Sequence, residues 1–262
     1  MNFLLYLFLL IVLLLLINKT FIKNNVLISE TGDRHQKFAS KDKVPLTGGI
    51  FLFLSFLFFY NEQILSLIFF SFLILLLGIF SDLKHIKSAV SRLIIQISLV
   101  LSFVIFNDLQ LFNTKIYLLD KLLANEVFNY FFVSFCVLIV INGSNFFDGL
   151  NTLNIGYYLI VSIAIYYLQV ANLILVNEIF LNYILVVLII TYFFNSINKI
   201  YLGDSGSYLL GFVFSIFLIN IYLENAEISP FFIIVLLWYP SFETLFSIIR
   251  KNIMNKSPMR PD

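Results

Sequence analysis

The chain contains little charge and almost no cysteine. Charged residues make up 12% of its 262 residues, whereas hydrophobic residues make up 61%. This balance, with a mean hydropathy of +0.98, excludes an ordinary soluble domain and indicates a polytopic membrane protein. The single cysteine, Cys136, lies inside an apolar run, which excludes a disulfide framework and a cysteine metal site.

Long apolar runs recur along the whole chain. The windows are Phe3–Ile17, Gly48–Tyr60, Ile64–Phe80, Leu93–Phe106, Phe128–Ile141, Ile155–Leu168, Ile179–Phe194, Tyr208–Leu223 and Phe231–Ile249. Several are shorter than the ~20 residues that a helix needs to cross a bilayer, so flanking polar residues must extend them. The pattern predicts an all-α, polytopic transmembrane helical bundle with about nine spans.

No soluble segment interrupts these runs, so residues 1–262 are expected to form a single integral-membrane domain. No internal repeat is evident, which argues mildly against an inverted-repeat transporter. The first window has neither a basic n-region nor a small-residue cleavage site. It is therefore expected to be a retained span rather than a signal peptide.

Lysine and arginine are distributed unevenly between the two faces. With nine spans, all of them fall on one face of the membrane except Lys115 and Lys121. By the positive-inside rule, the basic face is cytoplasmic and the N-terminus lies outside. Every polar motif described below then lies on the cytoplasmic face.

Two short polar islands each place an aspartate between apolar runs. The segment NGSNFFDGLNTL, residues 142–153, contains Asp148, and YLGDSGSYLLGF, residues 201–212, contains Asp204. Ionisable groups at such boundaries are candidates for a functional site, and two islands suggest one shared site. A helix-capping turn explains Asp148 equally well, because Asn, Asp and Gly are frequent turn residues.

The second island is the more specific of the two. Ser205, Gly206 and Ser207 precede an apolar helix, where backbone N–H groups can hold phosphate oxygens while Asp204 binds a hard cation. An N-cap is the simpler role for these residues, and the two roles are compatible.

The remaining motifs are weaker on their own. Asp82, in GIFSDLKHIKSAVSRLIIQ, is explained most simply as a solvated loop acid. The basic segment DRHQKFASKDKVPLTGGI, residues 33–50, is partly explained by positive-inside topology. Its Pro45, Gly48 and Gly49 also indicate a tight backbone turn close to the site.

Taken in order, these motifs resemble one enzyme family. The order is R-H-Q…P-L-x-G-G, an aspartate segment ending in R-L-x-x-Q, N-x-x-N-x-x-D-G, L-G-D-x-G-S, and R-K…S-P-x-x-P-D. This order resembles the polyprenyl-phosphate N-acetylhexosamine-1-phosphate transferases, bacterial inner-membrane enzymes that begin cell-envelope glycans such as peptidoglycan and the O-antigen of lipopolysaccharide. The resemblance covers residues 33–262, and five motifs on one membrane face make it specific.

The resemblance implies transfer of a sugar-1-phosphate from a UDP-sugar to undecaprenyl phosphate, with release of UMP. It implies Mg²⁺, or Mn²⁺ in its place, since two like unit charges ~4 Å apart repel by ~4 kcal/mol at an effective dielectric of ~20. Nucleic acid is not an expected partner, and a homodimer is left open. The implied catalytic residues are Asp82, Asp148 and Asp204, of which Asp204 and Asp82 are the expected metal ligands. The expected substrate-binding residues are Lys41, Lys43, Arg92, Asn142, Asn145, Gly206 and Ser207.

The chain also departs from the family pattern. Ser81 and Asn151 stand where the family usually has aspartates, and SPMRPD ends the chain where the family continues into a His-rich loop and further spans. The chain is therefore expected to be truncated there. Since a phosphate monoester is mostly dianionic at pH 7, a missing general base need not abolish transfer. The alternative is a catalytically impaired homologue that acts as a lipid-binding or scaffold membrane protein.

Overall fold

The computed structural model describes residues 3–29, 44–59, 64–148 and 152–254. In order, the elements are α1 (Phe3–Asn24), β1 (Ile28–Ser29), β2 (Val44–Pro45), α2 (Gly48–Phe56), a 3₁₀ turn (Leu57–Phe59), α3 (Leu65–Asp82), α4 (Ala89–Phe106), α5 (Tyr117–Leu123), α6 (Glu126–Phe146), α7 (Leu153–Val170), α8 (Glu178–Ser196), α9 (Gly203–Glu224), α10 (Pro230–Leu236) and α11 (Trp238–Ile253). The two strands form one short antiparallel pair, with Ile28 opposite Pro45. The expected all-α membrane bundle is confirmed.

The helices differ in their capacity to cross a membrane. Within the described ranges, seven are long and apolar enough to span, and α10 with α11 makes an eighth if the bent pair is one span. The second predicted window forms only the nine-residue α2 and the 3₁₀ turn. The count of nine spans and the outer position of the N-terminus stay predictions.

The break between α10 and α11 has a local cause. The two helices meet at an angle of 71°, and Pro240 lies in the first turn of α11. Proline has no N–H to donate to the carbonyl four residues earlier, and its ring clashes with that carbonyl. The freed carbonyl is that of Leu236, which accepts a hydrogen bond from the Tyr157 hydroxyl instead.

Helix α9 lies at the centre of the bundle. Burial covers 78% of this span, against 22–44% of the other six. It packs mainly between α3 and α6, with α2 along a third side. Because α9 is surrounded by other helices, a polar group on its first turn is held inside the protein rather than facing lipid.

Glycine allows α3 to approach the start of α9 very closely. A Cβ atom on Gly78 would lie 2.2 Å from the Cα of Ser205. Small residues permit such backbone contact between membrane helices. The close approach brings the end of α3, with Ser81 and Asp82, against the first turn of α9.

Candidate active site

Asp204 lies in the first turn of α9 and is surrounded by donors from three other helices. Its Oδ2 is 2.8 Å from Arg92 Nη1 of α4 and accepts a 2.5 Å hydrogen bond from Ser81 Oγ of α3. Its Oδ1 accepts a 2.6 Å hydrogen bond from Asn145 Nδ2 of α6. Arg92 Nη1 also donates to Ser81 Oγ at 2.7 Å. These four side chains form one connected cluster at the end of the bundle.

Asp82, the last residue of α3, caps the start of α9. Its Oδ1 accepts from the backbone N–H of Asp204 at 2.8 Å, and its Oδ2 accepts from that of Ser205 at 3.1 Å. A carboxylate is favourable here because the first N–H groups of a helix have no intrahelical partner and carry partial positive charge. The interpretation of Asp82 as a solvated loop acid is therefore wrong.

Gly203 makes this capping contact possible. Its φ of +67° lies in the left-handed region, and a Cβ atom there would lie 2.7 Å from Asp82 Oδ2. Glycine reaches this conformation at no steric cost. The glycine of the L-G-D motif thus lets the carboxylate of one helix contact the backbone of another.

Asp148 lies just after α6 and contacts the same helix start from another side. Asn154 Nδ2 is 3.4 Å from its Oδ1, and the Ser207 side chain also hydrogen-bonds its carboxylate. Burial raises the pKa of Asp148 well above its usual range, and the hydrogen bonds from Ser207 and Asn154 oppose that rise. The three predicted aspartates therefore all gather around the first turn of α9.

Two of the three backbone N–H groups predicted to hold phosphate oxygens already have partners within the chain. Asp82 accepts the N–H of Ser205, and the N–H of Gly206 donates to Leu202 O at 3.2 Å. Gly206 and Ser207 are both buried. A substrate role for these two residues stays a prediction.

Asn142 lies one turn before Asn145 but does not reach Asp204. Its Nδ2 donates to Gln96 Oε1 at 3.0 Å and to Leu138 O at 2.9 Å. Gln96 closes the R-L-x-x-Q motif and is 1% exposed. Two buried donor atoms on α4, Gln96 Nε2 and Arg92 Nε, have no hydrogen-bond partner among the described residues. Their chemistry suits an acceptor such as a phosphate oxygen.

The described end of the basic segment, residues 44–50, contacts the loop before α9. The N–H of Gly48 donates to Tyr201 O at 3.0 Å, and the N–H of Tyr201 donates to Pro45 O at 3.0 Å. Gly48 begins α2 instead of forming the expected tight turn. Lys41 and Lys43, expected to bind substrate, lie outside the described residues, as do Asn151 and the SPMRPD segment.

Three polar residues that assemble the site carry no motif that identifies them in the sequence. Ser81 stands in the place of a family aspartate, yet it hydrogen-bonds Asp204. Asn195 Oδ1 accepts from the N–H of Thr152 at 2.6 Å, and its Nδ2 donates to Ile200 O at 2.8 Å, so it links the end of α8 to the start of α7. Asn154 links α7 to Ser144 O at 2.9 Å. An asparagine at the end of an apolar run could have indicated the latter two residues, because a buried amide needs hydrogen-bond partners.

The carboxylates of Asp204 and Asp82 offer oxygen ligands, which a hard cation such as Mg²⁺ prefers. No group of three or more His, Cys, Asp or Glu side chains that could hold a metal occurs within the described ranges. Mg²⁺ is usually held by one or two carboxylates together with substrate phosphates, so Asp204 and Asp82 fit this requirement. In this structure the Arg92 guanidinium contacts Asp204 Oδ2, an oxygen that could otherwise bind the cation.

Comparisons with known proteins identify relatives of this chain. The chain is 27% identical over 194 residues to a probable undecaprenyl-phosphate N-acetylglucosaminyl 1-phosphate transferase of Bacillus subtilis, covering 72% of the chain and 52% of the relative. It is 29% identical over 228 residues to an undecaprenyl-phosphate alpha-N-acetylglucosaminyl 1-phosphate transferase of Thermotoga maritima, covering 84% of the chain and 65% of the relative. The chain thus spans less than two thirds of either relative's length. The profile of glycosyl transferase family 4 matches residues 64–222, more than half of the chain, and the chain therefore belongs to that family.

Proposed function

We propose that this protein transfers a sugar-1-phosphate from a UDP-sugar, most simply UDP-N-acetylglucosamine, to undecaprenyl phosphate and so begins a cell-envelope glycan. The observation that carries the proposal is the convergence of Asp82, Asp148 and Asp204 on the first turn of α9. The names of the two relatives support the lipid and the sugar. We propose that the site lies on the cytoplasmic face of the bacterial inner membrane. In the nine-span topology nearly all Lys and Arg residues lie on the same face as the site.

In the proposed reaction, an oxygen of the lipid phosphate forms a bond to the sugar-bearing phosphorus of the UDP-sugar. The bond from that phosphorus to the bridging oxygen breaks, and UMP leaves with the bonding electrons. The acceptor phosphate is mostly ionised at pH 7, so the protein need not remove a proton from it. The protein's main task is then to hold two anionic groups together.

In this proposal, Arg92 and Gln96 would bind the acceptor phosphate. Both project from α4 with unpartnered buried nitrogen donors, and Arg92 adds a positive charge beside Asp204. Arginine offers phosphate a forked pair of donors. An incoming phosphate would draw Arg92 away from Asp204 and leave that carboxylate available.

Asp204, with Asp82, would hold a divalent cation, whose chemistry is to neutralise charge on the phosphate oxygens. Asp82 also keeps the start of α9 in place through its two backbone hydrogen bonds. Asn145 orients Asp204 from α6. Asp148 links the C-terminal end of α6 to α9 through its hydrogen bond with Ser207. We expect the sugar nucleotide to bind beside this contact.

The apolar chain of the lipid also has a candidate path. A pocket of about 210 Å³ lies between α6, α9, α10 and α11, and its lining is almost entirely apolar. It includes Ile139, three residues before Asn142. Thr114 and Tyr222 also line the pocket, near the opposite end of the bundle from Asp204, so only the distal part of a prenyl chain whose phosphate lies at Asp204 would occupy it.

Two observations favour a second candidate, a lipid-binding homologue with impaired catalysis. Ser81 replaces an expected acid, and Arg92 neutralises the carboxylate of Asp204. Such a protein would bind undecaprenyl phosphate without turning over UDP-sugars. The two candidates differ in a single measurable product.

The test is to incubate purified protein with Mg²⁺, undecaprenyl phosphate and each of several UDP-sugars, and to measure UMP and lipid-linked sugar. We expect UMP release that requires both substrates and stops with a chelator. Binding of undecaprenyl phosphate without UMP release from any UDP-sugar would support the impaired homologue. UMP release that does not depend on the lipid would contradict both candidates.

A further inference from the structure

A basic cleft lies at the ends of α1 and α8, and it shares no lining residue with the cluster around Asp204. Its volume is about 620 Å³. Three exposed lysines stand at its edge, namely Lys19, Lys23 and Lys199. The rest of its lining is apolar apart from Asn18 and consists of Leu15, Ile22, Phe194 and Ile197. The cleft thus combines positive charge with an apolar floor.

The backbone around the cleft is fixed by a buried asparagine. Asn18 Nδ2 donates to Lys199 O at 3.2 Å, and its Oδ1 accepts from Thr47 Oγ1 at 2.5 Å. Asn18 is 8% exposed and Thr47 is fully buried. These bonds hold the segment after α8 against α1, so Lys199 stays beside the two lysines of α1.

The three ammonium groups have no compensating charge in the described part of the chain, where none of them forms an ion pair or a hydrogen bond. Lys19 and Lys23 lie four residues apart on one helix face, where like charges repel. A third positive charge across the cleft adds to that repulsion. An anion in the cleft would remove it.

We propose that this cleft binds the headgroup of an anionic glycerophospholipid, with an acyl chain lying along the apolar floor. Basic pockets between transmembrane helices on the cytoplasmic side are suited to lipids with several phosphate charges. The apolar floor favours a lipid over a soluble phosphate compound. Exposed Leu16 and Phe193 continue the apolar surface beside the cleft. A lipid with two phosphates, such as cardiolipin, matches three lysines best.

The test measures lipid binding directly by native mass spectrometry of the detergent-purified protein. Cardiolipin, phosphatidylcholine and undecaprenyl phosphate are titrated separately into the wild type and into a Lys19→Gln, Lys23→Gln, Lys199→Gln variant. We expect wild type to prefer cardiolipin over phosphatidylcholine. The variant should lose about fivefold in cardiolipin affinity for each lysine removed, while its affinity for undecaprenyl phosphate stays unchanged.

Two further variants separate a specific cleft from general charge. A Lys87→Gln, Lys115→Gln, Lys121→Gln variant loses the same charge at exposed positions outside the cleft, and it should bind cardiolipin like wild type. Replacing the three cleft lysines with arginine should preserve binding. Equal losses in both glutamine variants, or an unchanged affinity in the cleft variant, would overturn the proposal. A selective loss of undecaprenyl phosphate in the cleft variant would overturn the assignment to phospholipid.

Discussion

Two carboxylates at opposite ends of the bundle make similar hydrogen bonds in different surroundings. Asp204 accepts from Arg92, Ser81 and Asn145, and its side chain is 26% exposed. Asp108 accepts from Gln110 Nε2 at 2.6 Å and from Tyr130 at 2.5 Å, and it lies fully at the surface. Distances alone do not separate them.

The origin of the donors separates the two carboxylates. The donors to Asp108 lie 2 and 22 residues away in sequence, whereas those to Asp204 lie 59, 112 and 123 residues away. The second arrangement exists only when α3, α4, α6 and α9 are packed together. A change at Asp204 therefore acts on four helices, and a change at Asp108 acts only on the loop after α4 and on α6.

The largest effect is expected from Asp204→Asn. It removes the negative charge that balances Arg92 and that would hold a cation, and loss of one such electrostatic group typically costs ~10²–10³-fold in rate. UMP release by the purified variant checks this. Asp108→Asn is the matched control at the other end and should leave activity unchanged. Similar losses in both variants would contradict the proposed position of the site.

The second largest effect is expected from Gly78→Ala, which would disturb the packing of α3 against α9. Its Cβ would lie 2.2 Å from the Cα of Ser205, so α3 and α9 must move apart, and overpacking of this kind costs ~1–3 kcal/mol. We expect a lower Tm and a large loss of UMP release. Gly156→Ala is the control, because its Cβ meets only the Tyr192 ring, at 3.2 Å. A Tm no lower than that of Gly156→Ala would contradict the close approach.

Asp148→Asn should change the pH dependence of stability. Burial raises the folded-state pKa of Asp148 above the unfolded value. Its contribution to stability is therefore full below the ordinary pKa of 3.8 and is lost as the pH rises through the folded-state pKa. We expect the variant, which cannot ionise there, to match wild type in Tm at low pH and to exceed it as the pH rises. An equal Tm difference at every pH would exclude this origin.

Ser81→Ala should have the smallest effect. It removes the hydrogen bond to Asp204 but leaves the ion pair with Arg92, so the expected loss is ~1 kcal/mol, or about fivefold in rate. Ser66→Ala is the control, since Ser66 makes a comparable 2.6 Å bond to Asn107 at the opposite end. A loss as large as that of Asp204→Asn would indicate that Ser81 contacts a reacting group.

Sequence patterns predicted the helices and the proximity of the three aspartates better than they predicted the individual contacts. Apolar periodicity identified α3, α6 and α9 because each is long and uniformly apolar. It overestimated α2, whose apolar window is longer than its helix. It also missed the break before Pro240, although a proline inside an apolar run was visible.

The ion pair between Arg92 and Asp204 could not be predicted from the sequence. The resemblance predicted that both belong to one site, but neither motif specifies which side chain neutralises the other. That choice depends on how α4 is rotated against α9, which is set by packing along the full length of both helices. The requirement for glycine at position 78 could not be predicted either. It arises from the backbone of Ser205, which leaves no room for a Cβ atom on Gly78.

The capping of α9 by Asp82 also bears on how the protein is assembled during synthesis. The carboxylate is made 122 residues before the Asp204 backbone N–H that it finally accepts. Chains are synthesised from the N-terminus, and an unpaired charge is costly inside lipid. The end of α3 must therefore stay in contact with water at the membrane surface while α4 to α8 are inserted, and arrival of α9 then closes the bundle around it.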